Sequence, residues 1–280
     1  MNSQVRIACL QVNVGNDPAQ NIELISKLAQ SAVDSGAEII ATPEYCFKLD
    51  GRGRVMRENA PQEEDHEGLR AMRSFSRDKG VWFLIGSIVV RTDGSQLANR
   101  SILIGPSGEI LARYDKLHMF DLKLPDGREV LESRNYRPGG AARLVDTSLG
   151  KLGLTICYDL RFANLFQALA KAGAEIIFVP SAFYSDTGAA HWHTLLRARA
   201  IETGAFIVAP ATCGQHPGEH ATFGHSLVVS PWGEIIAEAD TEPGITVAAL
   251  DLAEVGRTRA RMPSLQHGRS FDVETIVARP

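Results

Sequence analysis

The chain nearly repeats itself, and the repeat limits the folds open to it. Residues Gly36–Glu44 read GAEIIATPE and residues Gly173–Ser181 read GAEIIFVPS. Each follows a segment with apolar residues at three- and four-residue steps. These are Ile22, Ile25, Leu28, Ala29 and Ala32 in the first case, and Phe162, Leu165, Phe166, Leu169 and Ala170 in the second. That spacing predicts a helix in each place. Glycine then stands where a helix past its last turn favours it. The run EII beside small residues reads as a buried strand, stopped by proline. A second echo pairs Ser101–Asp115, SILIGPSGEILARYD, with Ser226–Asp240, SLVVSPWGEIIAEAD. Both read strand, Pro-x-Gly turn, strand, which is a hairpin. The stretches VWFLIGSIVV and AFIVAPATC add one more strand each.

Each half therefore runs strand, helix, strand, helix, strand, hairpin. Such a half makes a mixed sheet with helices on one face, and its other face has to be buried. The sheet of the other half is the available cover. The expected fold is α/β: a four-layer α-β-β-α sandwich of two mixed sheets with an internal pseudo-two-fold. One doubly wound sheet is the competing reading, but such sheets are mostly parallel and the tandem hairpins weigh against it. With no evident linker in 280 residues, one domain spanning 1–280 is expected.

Charge narrows the partners. The formal net charge is −4, whereas nucleic acids and anionic membranes select for excess positive charge. The opening MNSQVRIACLQVN alternates like a strand and carries an arginine, so it does not read as a signal peptide. The densest apolar run, VWFLIGSIVV, falls short of the roughly 20 residues a spanning helix needs. A soluble, cytoplasmic protein is expected. Its four cysteines, Cys9, Cys46, Cys157 and Cys213, form no C-x-x-C pair and should be reduced.

In open α/β sheets ligands gather at the carboxyl ends of the strands. Glu44 follows the strand EIIATP, Cys157 ends the strand KLGLTI, and Ser181 ends the matching strand of the second half. Lys116 ends the first hairpin in ARYDKLHMF. Singly, each has an ordinary structural explanation: a buried thiol, a solvated carboxylate, a surface ammonium. Together they gain meaning. A free thiol, with a pKa near 8.5, is only a few per cent thiolate at neutral pH and needs a base. Glu44 is the candidate base, and Lys116 offers the charge to hold an oxyanion. Cys157 stands on a tight strand-to-helix turn, which pushes a side chain outward as in serine elbows. The helix start is expected to favour its thiolate.

These residues also carry a resemblance. TPEY with Glu44, YDKLHMFD with Lys116 and TICYDLRF with Cys157 resemble the Glu–Lys–Cys triad of the nitrilase, or carbon–nitrogen hydrolase, superfamily. SAFYSDTGAAHWHTLLRARAIET and FGHSLVVSPWGEIIAEAD are similar to its Nit branch, which holds omega-amidase and deaminated glutathione amidase; RARAIET and CGQH lean toward the latter type. The resemblance runs over nearly the whole chain. It implies the four-layer fold, no cofactor, and a homodimer or higher homo-oligomer. The activity it implies is a thiol amidase acting on a small carboxylate-bearing amide through a cysteine thioester. Nitrile or N-carbamoyl hydrolysis on the same triad is the alternative, as is a non-catalytic binding member of the fold. The resemblance marks Glu132, in LESRNYRPG, as a second glutamate of the pocket. The Tyr158 N–H is the expected second oxyanion donor. Arg161 and Ser181 are expected at the substrate, with Asp159 as a competing ion-pair partner for Arg161. The chain departs from the family's usual CYDLRFPEL at Ala163 and Asn164, where a changed surface or dimer contact and intact chemistry are expected, and QHPGEHAT reads as a variable loop.

His191, His193, His216, His220 and His225 invite a metal, but AAHWHTLLRARAIE has helical spacing, and two helical histidines two apart do not share a face. No metal is expected. The basic run Arg257–Pro263 reads as a solvated helix face.

Overall fold

The computed structural model describes residues 4–50, 56, 58–92, 96–123, 127, 129–217 and 220–278. The first half runs β1 (Gln4–Gln11), α1 (Pro18–Asp34), β2 (Ile39–Ala41), α2 (Glu67–Lys79), β3 (Trp82–Arg91), β4 (Leu97–Ile104) and β5 (Ile110–Asp115). A small hairpin of β6 (Asp121–Lys123) and β7 (Glu129–Leu131) leads to the second half. There follow β8 (Arg143–Thr147), β9 (Gly150–Leu154), α3 (Ala163–Lys171), β10 (Ile176–Phe178), α4 (Ser185–Thr203) and β11 (Phe206–Ala209). A second small hairpin, β12 (Cys213–His216) with β13 (His220–Phe223), precedes β14 (Leu227–Val229) and β15 (Ile235–Glu238). Then β16 (Gly244–Asp251), α5 (Ala253–Arg261) and α6 (Ser264–His267) close the chain.

Two six-stranded sheets form, in the orders β16-β1-β2-β3-β4-β5 and β15-β14-β11-β10-β9-β8. Each has three parallel strands at its centre, β1-β2-β3 or β9-β10-β11, with antiparallel neighbours on both sides. The hairpins read from the two echoes are β4–β5 and β14–β15. The sixth strand of each sheet has no echo. β8 directly precedes β9, whereas β16 comes from the far end of the chain and lies antiparallel to β1, with Gln4 opposite Asp251.

Side-chain alternation puts the two faces of the first sheet to different uses. Ala8, Leu10 and Ile40 pack with Ile25, Ala29 and Ala32 of α1 and with Leu69 and Met72 of α2. Val5, Ile7, Cys9, Ile39 and Leu84 point the other way and join Leu152, Leu154, Ile176 and Phe178 of the second sheet. The second sheet is covered in turn by Leu165, Phe166 and Leu169 of α3 and by Trp192 and Leu196 of α4. That is the α-β-β-α order. α1 starts where Asp17 accepts from the Ala19 N–H with Pro18 beside it, and Gly36 follows at φ 79°, a conformation cheap only without a Cβ. Gly86, in β3, lies where the halves meet. A Cβ there would collide with the carbonyl oxygens of Thr42 and Pro43, and would stand 2.6 Å from Cβ of Pro180. Among the described residues no helix is long and apolar enough to cross a membrane.

Candidate active site

Cys157 follows β9 at the start of a short 3-10 turn, Cys157–Arg161, with φ 45°. A non-glycine residue in that region is strained, and here the surroundings hold it there. Its N–H donates to the Pro180 carbonyl at 3.0 Å. The helix proper begins later, at Ala163. Tyr158 belongs to the first turn, where N–H groups have no intrahelical acceptor.

Glu44 comes from the segment after β2. One of its oxygens accepts from Nζ of Lys116 at 3.0 Å and from Nδ2 of Asn99 at 2.8 Å; the other accepts from the Ala182 N–H at 3.0 Å. Lys116, placed by the end of β5, is also ion-paired with Glu132 at 3.0 Å. Glu132 accepts in addition from the Phe120 N–H at 2.7 Å and from the Tyr45 hydroxyl at 2.9 Å. The Cys157 thiol lies beside both the Glu44 carboxylate and the Lys116 ammonium, close enough to feel the charge of each. Glu44, Lys116 and Cys157, with Glu132, Tyr158 and Arg161, line one hollow of about 400 Å³. Its apolar wall includes Phe120 and Tyr184, whose rings stack at 5.7 Å.

Electrostatics follow from burial and pairing. Burial penalises the charge on Lys116, but the carboxylates of Glu132 and Glu44 outweigh it and hold the ammonium well above the usual lysine range. Burial pushes Glu132 up, yet the Lys116 charge and the N–H of Phe120 outweigh that and leave it below the ordinary carboxyl value. Burial and then the Glu44 charge raise the Cys157 thiol well above its usual range, against the smaller pull of Lys116. This corrects the expectation of a favoured thiolate. The resting sulfur carries its proton, because a buried site beside a carboxylate costs a sulfur anion more than one short turn returns.

A fully buried carboxylate, Asp159, locks the elbow to the lysine segment. It accepts from the Ile156 N–H at 2.9 Å, just before the cysteine. It also accepts from the Tyr114 hydroxyl at 2.6 Å and from the His118 N–H at 3.1 Å, on either side of Lys116. Nδ1 of His118 lies 2.6 Å away, and that ring stacks on Phe162 at 3.5 Å. Asp159 is thus not the partner of Arg161. The Arg161 guanidinium faces the His191 ring at 3.4 Å, lies near the rings of Phe183 and Tyr158, and meets no carboxylate among the described residues.

Ser181 is a second correction. It is fully buried, its hydroxyl donates to the Val179 carbonyl at 3.0 Å, and it does not line the hollow. Its neighbour Ala182 lines it instead. A strand end was legible at Ser181, but not which way its side chain turns. Asn99 was missed altogether, and Asp159 was read only as a possible partner of Arg161. For Asn99 a signal existed: an amide inside the apolar strand LANRSILI requires a polar partner.

The frame and its hollow define a class, the α-β-β-α hydrolases, with the acid and the thiol just past the carboxyl ends of the parallel strands β2 and β9 and the ammonium just past the hairpin strand β5. The chain belongs to the carbon–nitrogen hydrolase family, which its residues 6–260 match. It is a hydrolase that acts on amides. It is 39% identical to the deaminated glutathione amidase of Yersinia enterocolitica, covering 94% of this chain and 92% of that one. It is 37% identical to the human deaminated glutathione amidase, over 94% and 82%. Among solved structures, the C. elegans NitFhit protein superposes with a TM-score of 0.90 at 33% identity, covering 95% of this chain, which spans 65% of that longer one. An amidase from Nesterenkonia sp. AN1, with acrylamide added to its active-site cysteine, superposes with a TM-score of 0.78 at 28% identity, over 92% and 98%.

Proposed function

We propose that the protein is a thiol amidase that hydrolyses a small carboxylate-bearing amide, of the deaminated glutathione type or an omega-amide of a 2-oxo acid, through a thioester on Cys157. The observation that carries this reading is the meeting of Cys157, Glu44 and Lys116 in one hollow, with the Arg161 guanidinium, which meets no carboxylate among the described residues, on its wall. Glu44 takes the thiol proton as sulfur attacks the amide carbon. The oxyanion is held by Lys116 and the Tyr158 N–H, each such donor contributing on the order of 3 to 4 kcal/mol. Glu44 returns the proton to the departing nitrogen, ammonia leaves, and the acyl group stays on sulfur. Glu44 then deprotonates water, which attacks the thioester, and the thiolate regains its proton as the acid departs. The protonated resting thiol fits this scheme, since it makes the base necessary. Glu132 keeps Lys116 charged and in place. Arg161 pairs with the substrate carboxylate, a bond a planar guanidinium can make in two places.

The test compares ammonia release from deaminated glutathione, alpha-ketoglutaramate and a simple nitrile. Cys157→Ala should abolish turnover, and Glu44→Gln should lower kcat by about 10²-fold or more. Near-normal turnover by Cys157→Ala would refute the mechanism. Nitrile conversion outpacing both amides would refute the substrate class and leave the triad standing.

A further inference from the structure

We propose that His193, His225 and Glu238 form a binding site for a divalent transition-metal ion of the zinc class, outside the catalytic hollow. None of the three lines that hollow. Nε2 of His193 lies 2.7 Å from Oε1 of Glu238, and Nδ1 of His225 lies 3.0 Å from the same oxygen. The three donor atoms all fall within 4.8 Å of one another. Around a tetrahedral ion with bonds of roughly 2.0–2.1 Å, neighbouring donors stand about 3.4 Å apart. The two nitrogen-to-oxygen edges, 2.7 and 3.0 Å, therefore need to open by about 0.7 and 0.4 Å to admit an ion, a movement within the reach of side-chain rotation.

Helical spacing does separate His191 from His193, and His191 faces Arg161. The partners of His193 come from elsewhere in the chain: His225 from the turn after β13 and Glu238 from the end of β15. His225 is held ready. Its backbone is in the left-handed region at φ 54°, its carbonyl accepts from Nε1 of the buried Trp192 at 2.8 Å, and its N–H donates to the Asp240 carbonyl. The Phe223 ring braces it at 4.4 Å. All three ligand side chains are between 23% and 34% exposed, which leaves room for water at the fourth position. Two imidazoles and one carboxylate suit zinc, cobalt, nickel or copper, and do not suit calcium or magnesium, which want oxygen throughout.

With no metal bound, each imidazole must keep a proton on the nitrogen that faces Glu238. A metal ion takes the place of both protons, and each neutral imidazole keeps its single proton by moving it to the other ring nitrogen, so both rings change tautomer on binding. The ion would tie α4 to β15, the edge strand of its sheet. Thr187 in the first turn of α4 and the adjoining Tyr184 line the hollow, so the clamp steadies that wall.

The test titrates zinc and cobalt(II) into the tag-free, chelator-washed protein, followed by calorimetry, cobalt absorption and melting temperature. One equivalent is expected, with visible cobalt bands, no sulfur-to-cobalt charge-transfer band, and a raised melting temperature. His193→Gln and Glu238→Gln should each weaken binding by about tenfold or more. Both lie at partly exposed positions where the fold tolerates an amide, and urea midpoints check that it does. Sulfur coordination, binding indifferent to both substitutions, or no binding at millimolar metal would each overturn the proposal.

Discussion

Replacing Asp159 by Asn should damage catalysis through Lys116 and Cys157, although Asp159 touches neither reacting group. The asparagine keeps the shape and loses the charge and one acceptor oxygen. Either orientation of the new amide turns its NH2 toward a backbone N–H, that of Ile156 in one case and of His118 in the other. A fully buried N–H left without an acceptor costs about 1–3 kcal/mol. The Tyr114 hydroxyl can rotate and the His118 ring can exchange tautomers, so those two bonds weaken and survive. Losing charge assistance in the remaining bonds costs about 1 kcal/mol more each. With three bonds remaining, the sum is about 4–6 kcal/mol, concentrated where the elbow grips the lysine segment. A misplacement of about 1 Å between catalytic groups can lower a rate by about 10². Steady-state ammonia release should therefore show kcat down by roughly 10²-fold with KM little changed, since Arg161 and the apolar wall are untouched. Tyr114→Phe, which removes only the 2.6 Å bond, should show a smaller loss in the same parameter. A less stable Asp159→Asn that keeps its kcat would show that this carboxylate only holds the fold together.

Three further outcomes follow from the same site. Lys116→Met strands the carboxylates of Glu44 and Glu132, 2% and 7% exposed, without their cation; it should destabilise the protein by about 3–5 kcal/mol, and an unchanged denaturation midpoint would show that the pairing is not structural. Glu132 sits below the ordinary carboxyl value of 4.5, so its pairing stabilises the fold above that pH and is lost as pH falls further. Glu132→Gln should therefore lower stability at pH 7 and flatten its decline between about pH 5 and pH 3, as urea midpoints measured against pH would reveal. Arg161→Lys should raise KM for a carboxylate-bearing amide about tenfold and leave an uncharged amide alone; equal KM values for both proteins would end the anchoring role.

How much of this was legible depends on whether the information was local. Helical spacing in Ile22–Ala32 and strand alternation in β9 are properties of neighbouring residues, so helices, hairpins and the two-sheet frame could be read directly. Cys157, Glu44 and Lys116 could be placed at strand ends for the same reason. What stayed hidden depends on the direction of a side chain or on contacts across the chain. Ser181 stands at a strand end yet turns inward. The grip of Asp159 on Tyr114 and His118 joins residues over 40 positions apart. Glu132 was marked only by the resemblance, because it gains its role from the Lys116 ammonium. β16 was missed because its partner lies at the other end of the chain.

The repeat also explains why one hollow serves two similar halves. Strand register fixes the counterparts. Ile39 pairs with Ile7 in the first sheet, and Ile176 pairs with Leu152 in the second. Counting onward from those pairs, Glu44 corresponds to Ser181 and Cys157 to Val12. The hairpin echo sets Lys116 against Thr241. The mates of the acid, the thiol and the ammonium are thus a hydroxyl, an isopropyl group and another hydroxyl. Val12 is not an open position either: it bridges to Thr212, and its carbonyl accepts from the Cys213 N–H where β12 begins. The duplicated frame delivers two sets of strand ends, but only one has an acid, a cation and a thiol within reach of each other. Acid and cation come from the first half and the thiol from the second, so neither half alone can hold the triad.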